Sequence, residues 1–554
     1  MSLRQLATVA LLTTALTACA PADTDMPTTP ETSSITAADL GRRIERLASD
    51  EFEGRAPGTK GGQLASQYIA DEMKAAGLKP MGKDGTYFQP ITLTEMTVQD
   101  GSFMQIAKDG GETTEYVMQD NAVFWTKRYT ESATVEDSDL VFVGYGVVAP
   151  EYGWNDYAGM DVKGKTVVML VNDPGFATKD EALFKGNAMT YYGRWTYKFE
   201  EAARQGAAAA IVIHETEPAS YGWDVVSGSW SGAQIDLVRP DKGASRTALE
   251  GWLTVEASQK LFEDAGLDFA EQKAAASTKG FKPVPMPGLK LSAQINNTIS
   301  TVESRNVVGG VTGEKHPDEY VLYMGHWDHL GKKDGEEGED TIHNGAVDNA
   351  TGTSAIIEIG EAFAQQDNLD RSVIIVAVTA EESGLLGSAY YAEDPIVPLE
   401  KTVAGINIDG VLPVGRTKDM IVVGYGASEL DDRLKAIIEP KGMYVTPDPN
   451  PQAGYYYRSD HISLAKKGVP MLYADSGVDH EINGREYGEK FGEEYVKERY
   501  HRPGDEYNHT WDLTGLEQLS INFFELGLDI ANTEQWPNWY EKAEFRTLRD
   551  EMLK

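Results

Sequence analysis

The feature of this sequence that most constrains its fold lies between residues 325 and 409, where histidine and acidic residues each come just after an apolar run. In chain order these residues are His326, Asp328, Asp348, Glu381, Glu382 and Asp409. Ligands in open α/β sheets bind beyond the carboxyl ends of the strands. The pattern is therefore typical of a metal site built on strand ends.

Apolar runs and helical patterns alternate through this part of the chain. Strands are predicted at 320–324, 373–378, 402–408, 420–423 and near 471, and helices at 351–365, 385–391, 430–438 and 515–532. Apolar strands that alternate with helices favour a mostly parallel sheet covered on both faces. We predict an α/β fold, a three-layer α/β/α arrangement with a mostly parallel central sheet.

The length and charge of the chain limit what it can be. Its 554 residues predict at least two domains, and the 41% hydrophobic content is enough for packed cores. The formal net charge of −37 repels nucleic acid phosphates and anionic lipid headgroups. We therefore expect no nucleic acid partner.

The N-terminus resembles an export signal. Arg4 precedes an apolar run at 6–12, and residues 16–19 end in Cys19 as in the lipobox of bacterial lipoproteins. This resemblance implies a signal peptide at 1–18, a lipid-anchored Cys19 at the cell envelope (periplasm or outer membrane), and a flexible tether at 19–36. The alternative is an ordinary signal peptide with a chance Cys. No later run is long enough to span a bilayer, so membrane contact would be through the anchor only.

Cys19 is the only cysteine in the sequence. It excludes an intramolecular disulfide, a cysteine nucleophile and a thiolate metal ligand from the mature fold.

A second module is predicted within the chain. A strand at 140–146, a strand at 164–170, a helix at 199–203 and an Ala-rich strand at 207–213 resemble the protease-associated domain, a β-rich module inserted in several secreted peptidase families. We place this insertion at 131–289, ending near a Pro-rich linker at 282–287. The main domain would then comprise 37–130 and 290–554. The alternative is an extension of the main sheet.

The first motif is a His-x-Asp pair. His326 and Asp328 leave a strand at alternate positions and point the same way, so the carboxylate can fix the imidazole tautomer for metal binding. Asp348 follows in a Gly-flanked loop that opens a helix. Taken alone, His326 is better explained as a structural histidine, and Asp348 could be just a helix cap.

The later motifs are harder to explain structurally. Glu381 and Glu382 are adjacent after a buried strand, and they repel one another unless cations neutralise them. Asp409 follows the next strand in the same way. A further histidine ligand is needed, and His501 lies in a loop with Pro and Gly ahead of the last helix.

Together these motifs resemble peptidase family M28, the co-catalytic two-zinc aminopeptidases that also include glutamate carboxypeptidases. The resemblance covers about 306–510 and, more loosely, the N-terminal helices and the insertion. The metal ligands that it implies are His326, Asp348, Glu382, Asp409 and His501. Asp348 would bridge the ions, and Glu381 would be the general base.

The resemblance also implies a mechanism. Two metal ions activate a water and polarise a carbonyl, and a free carboxylate moves the proton. The segment around Tyr456 matches a family motif, which makes this tyrosine a candidate to polarise the scissile carbonyl, although Tyr455 and Tyr457 leave the register open. Oxygen and imidazole ligands suit two Zn²⁺ and also admit Mn²⁺ or Co²⁺.

We expect a secreted aminopeptidase with peptide substrates. One alternative is a carboxypeptidase or dipeptidase for acidic peptides, with Arg416 or Arg458 lining the pocket. Others are glutaminyl cyclisation and a receptor-like protein without catalysis, whose relatives lack ligands or the base. The acidic loop at 336–340 is interpreted as solvated. Oligomeric state and preferred substrate residue do not follow from the sequence.

Overall fold

The structure, a computed structural model, describes residues 34–230, 232–333, 335 and 338–554. The predicted signal peptide, Cys19, most of the predicted tether and Glu336 lie outside the described residues. Within the described part of the chain, Ile35–Lys554 forms one compact unit.

The strands follow one another along this unit from Lys79 to Ser476. In chain order they are β1 (Lys79–Pro80), β2 (Phe88–Val98), β3 (Phe103–Lys108), β4 (Thr113–Tyr116), β5 (Ala122–Trp125), β6 (Ser132–Phe142), β7 (Val148–Ala149), β8 (Trp154–Asn155), β9 (Thr166–Leu170), β10 (Ala209–Ile213), β11 (Ala233–Leu237), β12 (Leu249–Leu253), β13 (Val284–Val311), β14 (His316–His326), β15 (Gly331–Lys332), β16 (Ile342–His343), β17 (Arg371–Val378), β18 (Thr402–Asn407), β19 (Asp419–Val423), β20 (Tyr444–Pro447) and β21 (Met471–Ser476).

The helices lie between Ala37 and Met552. In chain order they are α1 (Ala37–Leu47), α2 (Lys60–Ala75), α3 (Pro174–Thr178), α4 (Trp195–Arg204), α5 (Thr216–Ala219), α6 (Trp223–Ser229), α7 (Val255–Asp264), α8 (Phe269–Ala276), α9 (Gly352–Ala364), α10 (Leu386–Glu393), α11 (Leu430–Ile438), α12 (His461–Ala465), α13 (Arg485–Glu498), α14 (Thr514–Asn532) and α15 (Arg546–Met552). Among the described residues, none of these helices has the length and apolarity needed to cross a membrane.

The first sheet has the order β11-β2-β13-β17-β14-β18-β21-β19-β20, with the short β1 beside β13. Its centre, β17-β14-β18-β21, is parallel, and β13, β2 and β11 continue it antiparallel. Helices cover both faces. The α/β fold with a parallel sheet centre, predicted from the alternating pattern, is confirmed.

Each face of the first sheet has its own core, because successive side chains of a strand point to opposite faces. Tyr323 and Ile375 pack with Phe363 of α9 and Phe523 of α14 on one face. On the other face, strand residues such as Met324 pack with α10 and α12. A strand that is buried on both faces reads as a continuous apolar run, as predicted for β17.

The second sheet has the order β4-β3-β13-β6-β9-β10-β12-β5. The strands predicted near 140, 166 and 209 are β6, β9 and β10, and the predicted helix between them is α4. Strands β3 to β5, which the sequence analysis placed ahead of the insertion, also pair within this sheet. The pairing favours a module that begins near Phe103, whereas the division at 131–289 and its protease-associated character stay predictions.

The Pro-rich run at 282–287 is not a linker, which corrects the sequence analysis. Val284, Pro285 and Met286 begin β13 and pair with β6. Pairing of β13 with β3 starts only at Leu289, so this stretch has a neighbour on one edge. Proline is tolerated at the start of a strand and where its missing N–H faces no partner. The 28-residue β13 then continues into the first sheet and joins the two.

The topology brings the predicted site residues to one edge of the first sheet. His326 pairs with Val378 in the parallel register of β14 and β17, and Met324 pairs with Asn407 of β18. The three strands therefore end side by side at their carboxyl ends. The residues that follow each strand carry the candidate metal ligands.

Candidate metal centre

His326 lies at the end of β14 and is fully buried. Its Nε2 is 3.1 Å from Asp409 Oδ1 and 3.2 Å from Asp348 Oδ1. Its Nδ1 is 3.2 Å from the backbone carbonyl of Asp328 and 3.8 Å from the carboxylate of that residue. The Asp328 carbonyl therefore fixes the imidazole tautomer, where the sequence analysis expected the carboxylate to do so.

Asp348 lies between two histidines in the turn Ala346–Thr351 that precedes α9. Its Oδ1 faces His326, and its Oδ2 is 3.2 Å from Nε2 of His501. Asp348 does not cap α9, because the residue at the cap is Thr351. The carboxylate is placed as a bridge between two groups of side chains.

Glu381 and Glu382 follow β17 and point to different partners. Oε2 of Glu382 is 3.2 Å from Nε2 of His501, and its Oε1 is 2.6 Å from Nδ1 of His329. Glu381 donates its backbone N–H to the Asp328 carboxylate at 3.1 Å. The two carboxylates therefore have separate surroundings although they are adjacent in sequence.

His501 comes from a loop on the solvent side of the centre. Its side chain is 39% exposed, whereas His326 is 1% exposed. The residue adopts a left-handed φ of 56°, and its ring stacks on Tyr500 with 3.9 Å between the centroids. The loop supplies the last of the predicted ligands from nearly 100 residues beyond Asp409.

Hydrogen bonds from neighbouring side chains hold the carboxylates in place. Ser459 donates its hydroxyl to Asp409 Oδ2 at 2.5 Å and accepts a hydrogen bond from Asn407 at 2.7 Å. The buried carboxylate of Asp505 accepts the N–H groups of Val347 and Asp348, each at 3.1 Å. Such outer contacts orient ligands and tune a metal site.

Arg55 supports the same loops from the side of α1 and α2. Its buried guanidinium donates to the carbonyls of Trp327 at 2.8 Å, Asn344 at 2.5 Å and Gly345 at 2.9 Å. Burial lowers the pKa of Arg55 to about 10, while nearby carboxylates including Asp328 oppose the shift. This arginine belongs to the turn-rich loop after α1 and fixes the backbone on both sides of the site.

The electrostatics of the centre separate the two glutamates. Burial raises the pKa of Glu381 well above its usual range, and neighbouring Asp409 and Glu382 add to the rise. Burial would also raise the pKa of Glu382, but the imidazoles of His501 and His329 outweigh it and lower that pKa to about 2. Glu381 therefore has the higher proton affinity, and Glu382 is the ionised partner of the histidines.

The pKa values of His501 and Asp348 shift in the directions that favour their charged forms. Burial opposes the charged forms, but Glu382 and Asp348 raise the pKa of His501 to about 10. Burial also opposes ionisation of Asp348, yet hydrogen bonds with His326 and His501 hold its pKa well below the usual range. Burial raises the pKa of Asp328 to about 6.

The ring contacts of Tyr456 are with Tyr457 and His461, and among the described residues none is with a predicted metal ligand. Its hydroxyl is buried without a hydrogen-bond partner among the described residues. Burial raises its pKa well above the usual range, and the acidic groups that add to the rise are Glu544 and Asp431, which lie outside the centre. Tyr473 on β21 is the tyrosine whose pKa is raised by burial and by the nearby Asp409.

Sequence reasoning missed several residues of the site. His329 was noted only as flanking the first motif, yet its Nδ1 lies at Glu382. Asp505 and Arg55 form hydrogen bonds with backbone groups of residues far away in the chain. Such contacts cannot be predicted from the spacing of residues in the sequence. The available signal for His329 was its position directly after Asp328 in the same strand-end loop.

The donor set fits divalent metal ions. One ligand atom each from His326, Asp348 and Asp409 lie within 4.8 Å of one another, and so do atoms from His329, Asp348 and Glu382. Oε1 of Glu382 and Nδ1 of His329 are buried and lie 2.6 Å from each other. Imidazole and carboxylate donors without thiolate suit zinc. The two groups share Asp348, and each of them could hold a metal ion.

Parts of this chain are similar in sequence to known peptidases. Residues 306–526 match the model of Peptidase family M28. The Aminopeptidase NAALADL1 of Mus musculus is 32% identical over 128 residues, which are 22% of this chain and 16% of that protein. The Glutamate carboxypeptidase 2 homolog of Caenorhabditis elegans is 22% identical over 305 residues, 49% of this chain and 37% of that protein. The chain thus spans less than two fifths of these relatives.

A solved structure shares the fold. The aminopeptidase from Aneurinibacillus sp. strain AM-1 superposes with a TM-score of 0.50 and 19% sequence identity, covering 90% of this chain and 94% of that protein. This similarity supports the α/β fold described above.

Proposed function

We propose that the protein is a two-zinc aminopeptidase of peptidase family M28, whose model residues 306–526 match, and that it hydrolyses N-terminal peptide bonds. The observation that carries the proposal is Asp348, whose two carboxylate oxygens face His326 and His501 at 3.2 Å each. One carboxylate between two imidazoles, with a further acid on each side, is the arrangement that a pair of metal ions requires.

The proposed ligands would hold two metal ions. His326 and Asp409 would hold one ion, Glu382 and His501 the other, and Asp348 would contact both. Bound zinc supplies a Lewis acid that lowers the pKa of water and polarises a carbonyl. Manganese or cobalt would suit the same ligands.

Proton transfer is assigned to Glu381. Asp328 fixes its backbone through the N–H group, and burial gives its carboxylate a raised proton affinity. Glu381 would take a proton from the attacking water and deliver it to the nitrogen of the leaving amine as the peptide bond breaks. A carboxylate that is already neutralised by two imidazoles, as Glu382 is, serves this purpose less well.

The test is a panel of short peptides with free or acetylated N-termini, incubated with and without a chelator. We expect hydrolysis of the free peptides from the N-terminal end, little hydrolysis of the acetylated ones, and loss of both with chelator. Equal cleavage of acetylated peptides would contradict an aminopeptidase. Absence of all cleavage with zinc bound would favour the receptor-like alternative.

A second candidate is an exopeptidase that recognises a substrate carboxylate. Arg458 has no carboxylate partner among the described residues, and its charge opposes the burial that raises the pKa of Tyr500, the ring stacked on His501. Arg194, from the second sheet's part of the chain, is buried near Arg458 and likewise pairs with no acid in the described part. Arg416 instead pairs with Glu481 at 3.3 Å and is half exposed.

Matched variants distinguish this candidate. If a substrate carboxylate binds Arg458, then Arg458→Leu lowers kcat/KM at least tenfold for peptides with a free C-terminus and leaves C-amidated peptides unchanged. Arg416→Leu is the control and should change neither. Equal effects of Arg458→Leu on both peptide types would exclude carboxylate recognition.

Export and attachment through an acylated Cys19 remain proposals that rest on the N-terminal sequence. Labelling of cells with radioactive palmitate would test them. We expect label in the wild-type protein and none in Cys19→Ser.

A further inference from the structure

Asp475 lies on β21, the strand next to β18 in the first sheet. The two strands are parallel, and Tyr473 is paired with Asn407. Asp475 and Asp409 each come two residues beyond a member of this pair, and residues two apart on a strand point to the same face. Neighbouring strands are about 4.8 Å apart. The register therefore places Asp475 one strand away from the predicted metal ligand Asp409.

The side chains of these residues lie on the face of the sheet that α12 covers. Ser459, just ahead of α12, accepts a hydrogen bond from Asn407 and donates one to Asp409 Oδ2. The ring of Tyr473 lies 4.8 Å from that of His461 in α12, measured between centroids. The face that Tyr473 and Asn407 share therefore also holds the two acids.

The carboxylate of Asp475 has no cationic partner in the described part of the chain. Its side chain is partly exposed, and its Oδ1 accepts the N–H of Ser476 at 2.6 Å. Burial raises the pKa of Asp475 to about 8 and Asp409 adds to the rise, while the hydrogen bond from Ser476 opposes it. A carboxylate in such surroundings is stabilised by a cation that arrives with the substrate.

The other acids near Asp475 have other tasks or are closed to solvent. Asp409 faces His326 at 3.1 Å, and Glu381 is assigned to proton transfer. Asp460 is fully buried. Of these four acids, Asp475 is the one that is partly open to solvent and free of such a task.

We propose that Asp475 binds the α-ammonium group of the substrate's first residue and so confines hydrolysis to peptides with a free N-terminus. The α-nitrogen is two bonds from the scissile carbonyl carbon, so its binding group must lie beside the centre. A hydrogen bond from an ammonium to a carboxylate is stronger than one between neutral groups. This inference rests on the proposed aminopeptidase function and names the residue that recognises its substrate.

The test compares L-leucine p-nitroanilide with an analogue that lacks the α-amino group, using zinc-loaded wild type and Asp475→Asn. Asparagine keeps the size of the side chain and removes its charge. We expect KM for the leucine substrate to rise at least about tenfold in the variant, as loss of a hydrogen bond between charged groups does, with a smaller change in kcat. The analogue should have the same low kcat/KM with both proteins. Asp475→Ala replaces Asp475→Asn where asparagine fails to fold.

Asp479→Asn is the matched control. Asp479 follows β21, but its carboxylate accepts a hydrogen bond from Tyr444 at 2.9 Å and pairs with Lys418 at 3.4 Å. Its kinetic constants should equal those of the wild type. An unchanged KM for the leucine substrate in Asp475→Asn would overturn the assignment. A loss confined to L-lysine p-nitroanilide would also overturn it, because Asp475 would then bind a basic side chain.

Calorimetric binding of L-leucinamide to the zinc-loaded proteins separates this inference from the proposed function, because binding needs no turnover. The wild type should bind leucinamide at least about tenfold more tightly than Asp475→Asn, and the amide without the α-amino group should bind to both alike. Equal affinity of both proteins for leucinamide would overturn the inference. A wild type that binds leucinamide as expected but cleaves no nitroanilide would refute the proposed function and leave the role of Asp475 in place.

Discussion

At the scale of single residues, the two adjacent glutamates show how surroundings separate chemical roles. Glu382 lies between two imidazoles, which lower its pKa to about 2 against the effect of burial. Glu381 is buried near other acids, so its pKa is raised well above the usual range. One side chain is suited to hold a cation and the other to move a proton.

Replacing Glu381 by Gln removes the base but keeps the size of the side chain. We predict that turnover falls at least about 10²-fold, because a positioned general base contributes 10²- to 10⁴-fold. Zinc content should stay at the wild-type value in Glu381→Gln and fall in Glu382→Gln, the matched variant. Near-normal turnover of Glu381→Gln would refute its role.

We expect His461 to make the free energy of unfolding sensitive to acid. The ring is fully buried between Tyr456 and Tyr473, and burial lowers its pKa to about 3 from an ordinary 6.5. Below pH 6.5 the unfolded chain binds a proton that the folded chain does not, so the stabilising contribution is whole above pH 6.5 and declines towards pH 3. The free energy of unfolding should fall by about 2 kcal/mol between pH 7 and 5 from this residue alone.

The measurement is urea denaturation at several pH values for the wild type and His461→Phe. The wild type should lose more free energy of unfolding on acidification than the variant. His509→Gln, at an exposed position, controls for the loss of an imidazole. Identical pH dependence of wild type and His461→Phe would show that the buried ring is not the cause.

The site residues differ in how far the sequence could predict them. His326, Asp348, Glu382, Asp409 and His501 were predicted by strand-end position and resemblance, and the structure brings them together. Tyr456 was placed from a motif, and its catalytic role stays a prediction. Arg55 contacts Trp327 from 272 positions earlier in the chain. A guanidinium can donate to a backbone carbonyl whatever the side chain of that residue is. The sequence around the accepting residues therefore shows no pattern.

At the scale of elements, periodicity predicted the strands and helices of the peptidase part because each has one clear pattern. β17 was recognisable as a continuous apolar run, and α14 as a long helix. β13 was not predicted as one strand, since the Pro-rich run at its start was interpreted as a break. Whether a strand tolerates proline depends on which of its edges is paired, and the tertiary structure sets that pairing.

The contact between α14 and β14 depends on a glycine. A Cβ at Gly527 would lie 1.8 Å from the hydroxyl of Tyr323, which donates to the carbonyl of Phe523 at 2.7 Å. Gly527→Ala should therefore lower the free energy of unfolding by about 1–3 kcal/mol, as overpacking of a core does.

Gly492→Ala in α13 is the control, since its Cβ would meet only Leu412 at an ordinary 3.6 Å. Alanine is favoured over glycine within a helix by roughly 0.5–1 kcal/mol, so this variant should be neutral or stabilising. Thermal or urea denaturation of both variants gives the comparison. Equal stability of the two would contradict the packing described for Gly527.

At the scale of the whole molecule, two sheets share β13, and the second sheet's part of the chain also contacts the region beside the centre. Lys466 lies 3.2 Å from Glu200 of α4, and the N–H of Met189 donates to the carbonyl of Pro451 at 3.0 Å. These contacts flank Arg458 and Ser459. The sequence predicted a second module but not that it would reach this close to the candidate site.

The central claim is that two metal ions held by this centre are needed for peptide hydrolysis. The most direct measurement is a zinc titration of chelator-treated, metal-free protein, with bound zinc and hydrolysis of an aminoacyl-nitroanilide followed together. We predict no activity without metal and full recovery at two zinc ions per chain. Full activity of the metal-free protein would contradict the claim.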